Sequence, residues 1–398
     1  MNFQPLVRLA SHLGGLEAGG LKRIRRSVGS ACDPRMLVDG RPLLTFNSND
    51  YLGLASHPQV LEALKEGVSV YGAGSGASHL ISGHSQAHDR LEELLASVLS
   101  PYLPAARALY FSSGYMANLG VLTALASASP GDIVFFSDRL NHASLIDGIR
   151  LTREPCQIYA HVDMNDLSSK LAASQHGTKV VVTDGVFSMD GDIAPLPALL
   201  RMCEQHGAWL LVDDAHGFGV LGDSGAGILE HFHLQSPQLI YMGTLGKAAG
   251  VGGAFVAAHE HLVEWLVQRS RPYIYTTAAA PALAHALLTS IRIICSDEGR
   301  WRRQHLQALV QQLSSAPVPA AWQRLSSPTP IQPMVLGSNQ VVLQASEALL
   351  AQGIWISAIR APTVPVNTAR LRITLSASHT EQDINQLVQA FSHAACHD

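Results

Sequence analysis

The sequence predicts an α/β protein whose main domain contains a mostly parallel sheet, with a small α+β domain near the C-terminus and an N-terminal arm. From about residue 58 to residue 257, helical stretches alternate with short β-rich runs, which is typical of parallel strands covered by helices on both faces. Beyond residue 330 the strands and helices are short and mixed. Hydrophobic residues make up 47% of the chain and charged residues 15%, so the composition allows a large buried core.

The composition also excludes several classes of protein. The 398 residues carry 27 basic and 31 acidic side chains, a formal net charge of -4. Disordered chains are less hydrophobic and nucleic-acid-binding proteins are usually basic, so we expect neither disorder nor a nucleic-acid partner. The N-terminus lacks the basic-then-apolar order of a signal peptide, and Pro281, His285 and Arg292 interrupt the apolar stretch 274–295. We therefore expect no export and no membrane span.

Cysteine and histidine spacing gives no indication of a metal site. The five cysteines are widely separated and form no C-x-x-C pair, which favours a reducing, cytoplasmic location. They are Cys32, Cys156, Cys203, Cys295 and Cys396. His84 and His88 have helical i, i+4 spacing, but no Glu follows His84 as in H-E-x-x-H and the sequence indicates no third ligand. The sequence therefore predicts no metal.

The predicted elements divide the chain into an arm at 1–50, a large domain at 51–290 and a small domain at 291–398. The arm contains a helix from about 6 to 26 and a strand at 43–46. The large domain has predicted strands at 108–111, 132–136, 180–183, 209–213, 239–242 and 254–257. Helical patterns from 259 to 313 and the Ser/Pro-rich loop 326–330 follow. The small domain has predicted strands at 331–336, 354–359 and 371–375, and helices at 341–352 and 381–394.

An acidic pair follows one of the apolar strands. Asp213 and Asp214 come at its end, with His216 and two glycines shortly after. In an open α/β sheet, ligands bind beyond the carboxyl ends of the strands, so this position favours a ligand site. A poorly solvated carboxylate there would be stabilised by a cationic partner. The alternative is that one aspartate caps the next element and His216 is a loop residue.

A lysine follows the next strand, in the segment Gly243-Thr-Leu-Gly-Lys247. An amine among small apolar residues has a lowered pKa, as a Schiff-base nucleophile requires, and Thr244 offers a hydroxyl to an anion. A nucleotide-binding P-loop is excluded because Tyr241 and Ala248 stand where its first Gly and its Ser/Thr belong. The alternative is a surface lysine in a flexible turn.

Two further strand ends carry polar residues. Ser112-Ser-Gly114-Tyr115 follows strand 108–111 and opens a helix, where backbone N–H groups could hold a phosphate and Tyr115 could cover a flat ring. An ordinary Ser N-cap explains the same residues. His142 follows strand 132–136 and could stack on a planar cofactor or move a proton, although a capping role is the alternative.

The glycines at 72, 74 and 76 do not form G-x-G-x-x-G, so a dinucleotide site is poorly supported.

Taken together, these segments resemble the pyridoxal-phosphate (PLP) enzymes of the aspartate-aminotransferase fold (fold type I), and within them the α-oxoamine synthases. The resemblance runs from about residue 23 to residue 379. The segments that carry it are Asn47-Ser-Asn-Asp-Tyr-Leu-Gly-Leu54, Arg139-Leu-Asn-His-Ala-Ser144, Asp184-Gly-Val-Phe-Ser-Met-Asp-Gly191, Val212-Asp-Asp-Ala-His-Gly217 and Gly243-Thr-Leu-Gly-Lys247.

The resemblance implies PLP as cofactor and a role for each matched residue. Lys247 would hold the cofactor covalently, Asp213 would pair with its ring nitrogen, His216 would bond its ring hydroxyl and His142 would stack on its ring. The other cofactor contacts implied are Ser188 beside the ring, Gly114, Tyr115 and Thr244 at the phosphate, and Thr276 or Thr277 at the phosphate of a partner chain in a homodimer. The substrate contacts implied are Asn49, His142 and Arg360 for the amino acid, and Arg23 and Thr363 for the acyl group.

Within the family, the segments Ala358-Ile-Arg360-Ala-Pro-Thr363-Val-Pro365 and Thr368-Ala-Arg-Leu-Arg372 resemble the branch that condenses L-alanine with a pimeloyl thioester. The acyl carrier would be coenzyme A or an acyl-carrier protein. Ala361 and Asn367 depart from that branch, which usually has Pro and Gly there. The alternatives are a glycine C-acetyltransferase, a 5-aminolevulinate synthase, or a non-catalytic protein that has kept the fold; the set Lys247, Asp213 and His142 disfavours the last.

Overall fold

A computed structural model describes residues 3–395 of the chain; Cys396 lies outside them. The helices of the described residues are α1 (Gln4–Ala18), α2 (Pro58–Tyr71), α3 (Gln86–Leu99), α4 (Gly114–Ala128), α5 (Ala143–Thr152), α6 (Met164–Ala173), α7 (Leu196–His206), α8 (Ile228–His231), α9 (Glu260–Arg269), α10 (Arg271–Ile274), α11 (Pro281–Ile294), α12 (Asp297–Ser315), α13 (Asn339–Ala351) and α14 (Glu381–Ala394). A π-helical turn covers His79–Gly83. None of these helices is long and apolar enough to cross a bilayer.

The strands of the described residues are β1 (Arg35–Val38), β2 (Arg41–Thr45), β3 (Ala106–Phe111), β4 (Ile133–Asp138), β5 (Cys156–Tyr159), β6 (Thr178–Asp184), β7 (Trp209–Asp213), β8 (Leu239–Thr244), β9 (Ala254–His259), β10 (Gln323–Arg324), β11 (Ile331–Gly337), β12 (Ile354–Trp355), β13 (Ser357–Ile359) and β14 (Ala369–Thr374). Contacts divide the chain into two compact units. The large unit comprises Asn49–Ser188 and Asp192–His305; the small unit comprises the residues up to Ser48, Met189–Gly191 and the residues from Leu306. The boundaries at 50 and 290 stay a prediction of the sequence.

The large unit is built on one seven-stranded sheet in the order β3-β9-β8-β7-β6-β4-β5. The pairs β8/β7, β7/β6, β6/β4 and β4/β5 are parallel, and β9 alone runs antiparallel to its neighbours β3 and β8. Val180, Val182, Leu211 and Ile240 belong to one buried core cluster beside the sheet. Parallel strands buried on both faces are continuous apolar runs, as these are. The predicted mostly parallel α/β fold is confirmed.

The sequence missed one strand of this sheet. Strand β5 covers four residues at the sheet's edge, and only Tyr159 of the four is buried. A strand this short and this exposed lacks the apolar run that identifies its neighbours, so pairing with β4 rather than sequence pattern determines it.

The helical region predicted at 259–313 is divided into α9, α10, α11 and α12.

The small unit contains a three-stranded sheet, β1-β2-β12, and a four-stranded sheet, β10-β11-β14-β13. The strand predicted at 354–359 is two strands in different sheets, because β12 pairs with β2 and β13 pairs with β14. The side chain of Asn47 lies at this division: its Nδ2 donates to Trp355 O and its Oδ1 accepts from Ser357 N. The small α+β domain of the predicted fold class is confirmed.

The N-terminal helix is shorter than predicted. It ends at Ala18 rather than near residue 26, since Gly19 follows as the C-cap and Gly20 has a φ of +63°. A residue in the left-handed region stops the helical hydrogen-bond ladder, and glycine adopts it without steric cost.

We predict that two glycines with positive φ respond differently to alanine. Gly207 ends α7 at φ +62°, and a Cβ there would meet nothing within 4 Å. Gly227 has φ +93°, and its Cβ would lie 2.2 Å from Asp214 Oδ2 and 2.3 Å from Tyr241 Oη. Gly207→Ala should cost about 1 kcal/mol, from backbone strain alone. Gly227→Ala should cost about 3 kcal/mol or more, because backbone strain and overlap add.

Calorimetric thermal midpoints of the two variants measure this difference, with Gly207→Ala serving as the control for strain without overlap. Equal midpoints would contradict the close approach of the Gly227 backbone to the buried Asp214–Tyr241 pair.

Candidate active site

A cavity of about 190 Å³ lies at the carboxyl edge of the parallel strands in the large unit. Strands β6, β7 and β8 end at Asp184, Asp213 and Thr244, and their register brings Asp184 opposite Asp213. The residues lining the cavity are Gly114, Tyr115, His142, Ser144, Asp184, Asp213, Ala215, His216, Met242, Thr244 and Lys247. Residues at or just beyond the ends of five strands, β3, β4, β6, β7 and β8, therefore meet in one place, as expected for an open α/β sheet.

Asp213 is held by two hydrogen-bond donors. Its exposed fraction is only 3%, its Oδ2 accepts from Asn118 Nδ2 at 2.7 Å, and its Oδ1 accepts from Ala215 N at 3.0 Å. Asn118 lies within α4 and is fully buried, so the orientation of the carboxylate is fixed by a side chain that cannot turn to water. The arrangement presents a buried carboxylate to whatever occupies the cavity.

Asp214, the other aspartate of the pair, has a different environment. It is fully buried; its Oδ2 accepts from Tyr241 Oη at 2.7 Å and from Ile228 N at 2.8 Å. Burial raises the pKa of Asp214 to about 7. Asp214 therefore organises the loop leading to α8, whereas Asp213 lines the cavity. The N-cap of α8 is Gly227, and Asp214 contacts the helix only through the N–H of its first residue, Ile228.

His142 is the N-cap of α5 and also lines the cavity. Its Nδ1 accepts from Ser144 N at 3.3 Å and lies 2.7 Å from Ser144 Oγ, which itself accepts from Asn118 Nδ2 at 2.8 Å. Burial lowers the pKa of His142, the charge of Asp213 opposes this shift, and Lys247 adds to it. Because Nδ1 accepts the backbone N–H, the neutral ring carries its proton on Nε2. His142 thus caps α5 and lines the cavity at the same time.

A second buried carboxyl lies beside Asp213. Asp184 Oδ2 accepts from His142 N at 2.7 Å. Burial raises the pKa of Asp184 well above its usual range, and the neighbouring Asp213 adds to that effect. Two carboxylates at paired positions of adjacent strands do not both ionise without cost, so the protonated form of Asp184 relieves the repulsion.

A chain of hydrogen bonds leads from Lys247 to Asn49. Lys247 Nζ lies 2.8 Å from His216 Nε2, His216 Nδ1 lies 2.6 Å from Tyr51 Oη, and Tyr51 Oη donates to Asn49 Oδ1 at 3.1 Å. With the Tyr51 proton directed to Asn49, His216 donates from Nδ1 to Tyr51, and its Nε2 accepts from Lys247. The amine is thereby oriented by three side chains at the edge of the cavity.

The N-terminus of α4 forms the opposite wall. Ser113 caps the helix by accepting from Met116 N at 3.3 Å, and Gly114 and Tyr115 are its first residues. A Cβ at Gly114 would lie 3.8 Å from Thr244 Oγ1, which places the start of α4 next to this hydroxyl. Free N–H groups of a first helical turn, the positive end of the helix dipole and a threonine hydroxyl together suit an anion such as a phosphate.

The remaining predicted site residues lie elsewhere in the chain. Ser188, Thr276 and Thr277 belong to the large unit but are not among the described residues that line the cavity. Arg23, Arg360 and Thr363 belong to the small unit. The guanidinium of Arg360 donates to Gly20 O, and Arg23 and Thr363 are exposed.

The two departures noted near Arg360 lie in its loop. The Ala361–Pro362 peptide bond is cis, and Asn367 has a φ of +63°. Asparagine tolerates the left-handed region better than most residues, so it can replace a glycine at that position without changing the backbone.

Sequence patterns did not single out four residues of the site: Tyr51, Asn118, Ser144 and Asp184. Tyr51, Ser144 and Asp184 lie in segments that carry the family resemblance but were given no role there, and Asn118 is an amide within a largely apolar helix. Their hydrogen bonds join segments far apart in the chain, and no local pattern encodes such contacts.

Comparisons with known proteins agree with this geometry. The class I and II aminotransferase family matches residues 41–391. The chain is 60% identical to the 8-amino-7-oxononanoate synthase of Janthinobacterium sp. (strain Marseille) over 385 residues, 97% of each chain. Its fold is similar to SPT (serine palmitoyltransferase) with a PLP internal aldimine, at a TM-score of 0.89 and 27% identity, over 100% of this chain and 98% of that one.

It is also similar to the crystal structure of 8-amino-7-oxononanoate synthase from Francisella tularensis, at a TM-score of 0.74 and 30% identity, over 89% of this chain and 98% of that one. The aspartate-aminotransferase-like fold expected from the sequence is confirmed. On the extent of these matches, the chain belongs to the class I and II aminotransferases and, within them, to the 8-amino-7-oxononanoate synthase family.

Proposed function

We propose that this enzyme uses PLP to condense L-alanine with a pimeloyl thioester, releasing carbon dioxide and the free carrier and forming 8-amino-7-oxononanoate in biotin synthesis. The observation that carries the proposal is the cavity in which the amine of Lys247, the imidazole of His216 and the carboxylate of Asp213 converge, in a chain 60% identical to a protein of that name. Coenzyme A and an acyl-carrier protein both suit the role of carrier.

The donor set of the cavity fits PLP. The cofactor has an aldehyde, a basic ring nitrogen, a flat ring, a ring hydroxyl and a phosphate. Lys247 offers an amine to the aldehyde, Asp213 a carboxylate to the protonated ring nitrogen, and His142 a neutral ring for stacking. His216 offers a ring N–H or lone pair to the hydroxyl, and the first turn of α4 with Thr244 suits the phosphate. When bound, PLP supplies an electron sink for carbanion chemistry.

In this proposal, Asp213 determines how strongly the ring of bound PLP withdraws electrons. Its carboxylate, oriented by Asn118 and Ala215, keeps the ring nitrogen protonated, and the protonated nitrogen withdraws electrons most strongly. The ion pair would also offset the cost of burying the carboxylate. Asn118 acts as a positioning residue because it touches Asp213 and Ser144 rather than the reacting atoms.

Lys247 has two tasks in this proposal. Its amine would hold the cofactor through the aldehyde and would be freed when the amino group of L-alanine takes its place. The free amine next removes the α-proton of the substrate and can return a proton to the product. His216 and Tyr51 keep Nζ directed to the cavity, since Nζ lies 2.8 Å from His216 Nε2. Attack of the deprotonated α-carbon on the thioester and loss of the carboxyl group complete the reaction.

The family resemblance supports the remaining assignments. Arg360 suits the amino-acid carboxylate because a guanidinium binds a carboxylate through two parallel hydrogen bonds, and Asn49 would assist. Arg23 and Thr363 are proposed contacts of the acyl group, and Ser188 a contact beside the cofactor.

We propose a homodimer in which Thr276 or Thr277 reaches the phosphate of the PLP bound to the partner chain. Among the described residues, Cys156, Cys203 and Cys295 carry free thiols, which supports a reducing, cytoplasmic location.

We predict that Lys247→Ala abolishes turnover and the visible absorption of the enzyme-bound cofactor, because among the described residues that line the cavity Lys247 is the one lysine. Borohydride reduction of the wild-type holoenzyme followed by peptide mapping should find the cofactor fixed on Lys247. Lys170→Ala serves as the control, since this lysine pairs with Asp166 on α6. Cofactor fixed on a different lysine would overturn the site assignment.

We predict that Asp213→Asn keeps the fold and bound cofactor but slows removal of the α-proton roughly 100-fold or more, because an amide does not hold the ring nitrogen protonated. Exchange of the α-proton of L-alanine with deuterium, followed by NMR, measures this step without the thioester. An exchange rate close to that of the wild type would show that Asp213 is not the partner of the ring.

We predict that the enzyme prefers a pimeloyl to an acetyl thioester by several powers of ten in kcat/KM. Each additional methylene contributes about 0.8 kcal/mol if it is fully buried. L-alanine should exceed glycine only modestly, because one methyl contact is worth about 1 kcal/mol. Turnover of every pairing of alanine, glycine and serine with the two thioesters measures both preferences. Faster turnover of glycine with the acetyl thioester would assign the enzyme to the glycine C-acetyltransferase branch.

A further inference from the structure

Three histidines outside the cavity form a compact cluster in the large unit. Each of His79, His84 and His88 offers a ring nitrogen within 4.8 Å of the others, and their ring centroids are 5.0 to 5.4 Å apart. The sequence indicates the pair His84 and His88 but no third ligand. The π-helical turn before α3 supplies the third, because it brings His79 back against the start of that helix.

Hydrogen bonds orient two of these rings with their lone pairs on Nδ1. His84 Nε2 lies 2.8 Å from Asp89 Oδ1, and His88 Nε2 lies 3.0 Å from Ala279 O. A carboxylate and a carbonyl oxygen only accept, so both Nε2 atoms carry the proton. A histidine that donates one ring N–H to a carboxylate or carbonyl and offers the other nitrogen as a ligand is the usual arrangement around a protein-bound metal ion.

The third ring already shares a proton with the second. His79 Nδ1 lies 2.8 Å from His84 Nδ1, so one proton lies between two nitrogen lone pairs. His79 stacks on Tyr273 at 4.5 Å, which holds its ring in place. The Nε2 protons of His84 and His88 and the single proton between His79 and His84 leave ring lone pairs facing one another, and a lone pair on a ring nitrogen is what binds a metal ion.

We propose that His79, His84 and His88 form a binding site for Zn²⁺ or a similar divalent first-row metal ion, with solvent as the fourth ligand. The ion would replace the proton between the two Nδ1 atoms, and His79 would then carry its proton on Nε2. Imidazole ligands select ions of this class over Mg²⁺ and Ca²⁺, which prefer oxygen. The carboxylate of Asp89, on the far nitrogen of His84, would offset part of the added charge.

Closing the site requires the three rings to adjust, since their ligand nitrogens, now within 4.8 Å of one another, have to come to about 3.3 Å apart. Two nitrogens bound tetrahedrally to Zn²⁺ at about 2.0 Å lie about 3.3 Å apart, so the 2.8 Å separation of His79 and His84 needs to widen only slightly. His88 has to give up an existing bond, because its Nδ1 accepts from Ser85 N at 3.1 Å. This exchange makes the site weaker than a closed four-ligand zinc site. The side chain of His84 is 24% exposed, which gives an ion access from solvent.

Metal titration of the untagged holoenzyme tests the proposal. After exhaustive chelation, the wild type should take up one tight equivalent of Zn²⁺ per chain. Co²⁺ in its place should show the strong visible absorption of tetrahedral cobalt at wavelengths beyond the cofactor band. His84→Gln should lose both signals. Asp89→Asn should weaken binding by roughly 10- to 100-fold, the usual cost of removing such a supporting group.

His261→Gln is the matched control. His261 is exposed and its ring lies 4.9 Å from that of His259, so it also belongs to a histidine pair, but it is not part of the three-histidine cluster. It should keep the tight equivalent and the cobalt absorption. The thermal midpoint and bound cofactor of each variant confirm folding independently of metal. Unchanged zinc uptake in His84→Gln, or no cobalt absorption in the wild type, would overturn the proposal.

Discussion

The active site depends on placing one carboxylate, that of Asp213, out of water at the end of a buried strand. Such burial is unfavourable unless the charge is compensated. Asn118 and Ala215 supply two hydrogen bonds, and the proposed pyridinium of the cofactor supplies the opposite charge. The same Asn118 amide reaches Ser144, which bonds the ring of His142. The group that orients the carboxylate thus also orients, through Ser144, the ring of His142, and a change in α4 would disturb both.

Burial keeps several titratable groups around this carboxylate neutral. The pKa of Asp184 is raised and that of His142 is lowered, both chiefly because burial disfavours the charged form. Few competing charges then remain near the proposed cofactor, so the electrostatic influence of Asp213 and Lys247 is not screened by neighbouring ions.

Most of the fold was predictable because its signals are local. The apolar runs that became β6, β7 and β8, the glycine that ends α7, and the capping pattern of α14 are each contained in a few residues. Edge strand β5 and the division of 354–359 between two sheets were not predictable, because partner strands and the amide of Asn47 determine them. The residues before β9 also gave no sign that this strand runs antiparallel.

By itself, the sequence determined which strand ends carry chemistry: Asp213, Thr244 and His142 follow apolar runs, and Lys247 lies in a glycine-rich turn. Only the tertiary structure decided that Asp213 rather than Asp214 lines the cavity, that Tyr51 and His216 orient Lys247, and that His79 joins His84 and His88. The physical reason is how far apart in the sequence the interacting residues are. Strand and cap signals arise between residues a few positions apart, whereas the direction of a buried side chain depends on hydrogen-bond partners that the folded chain brings from distant segments.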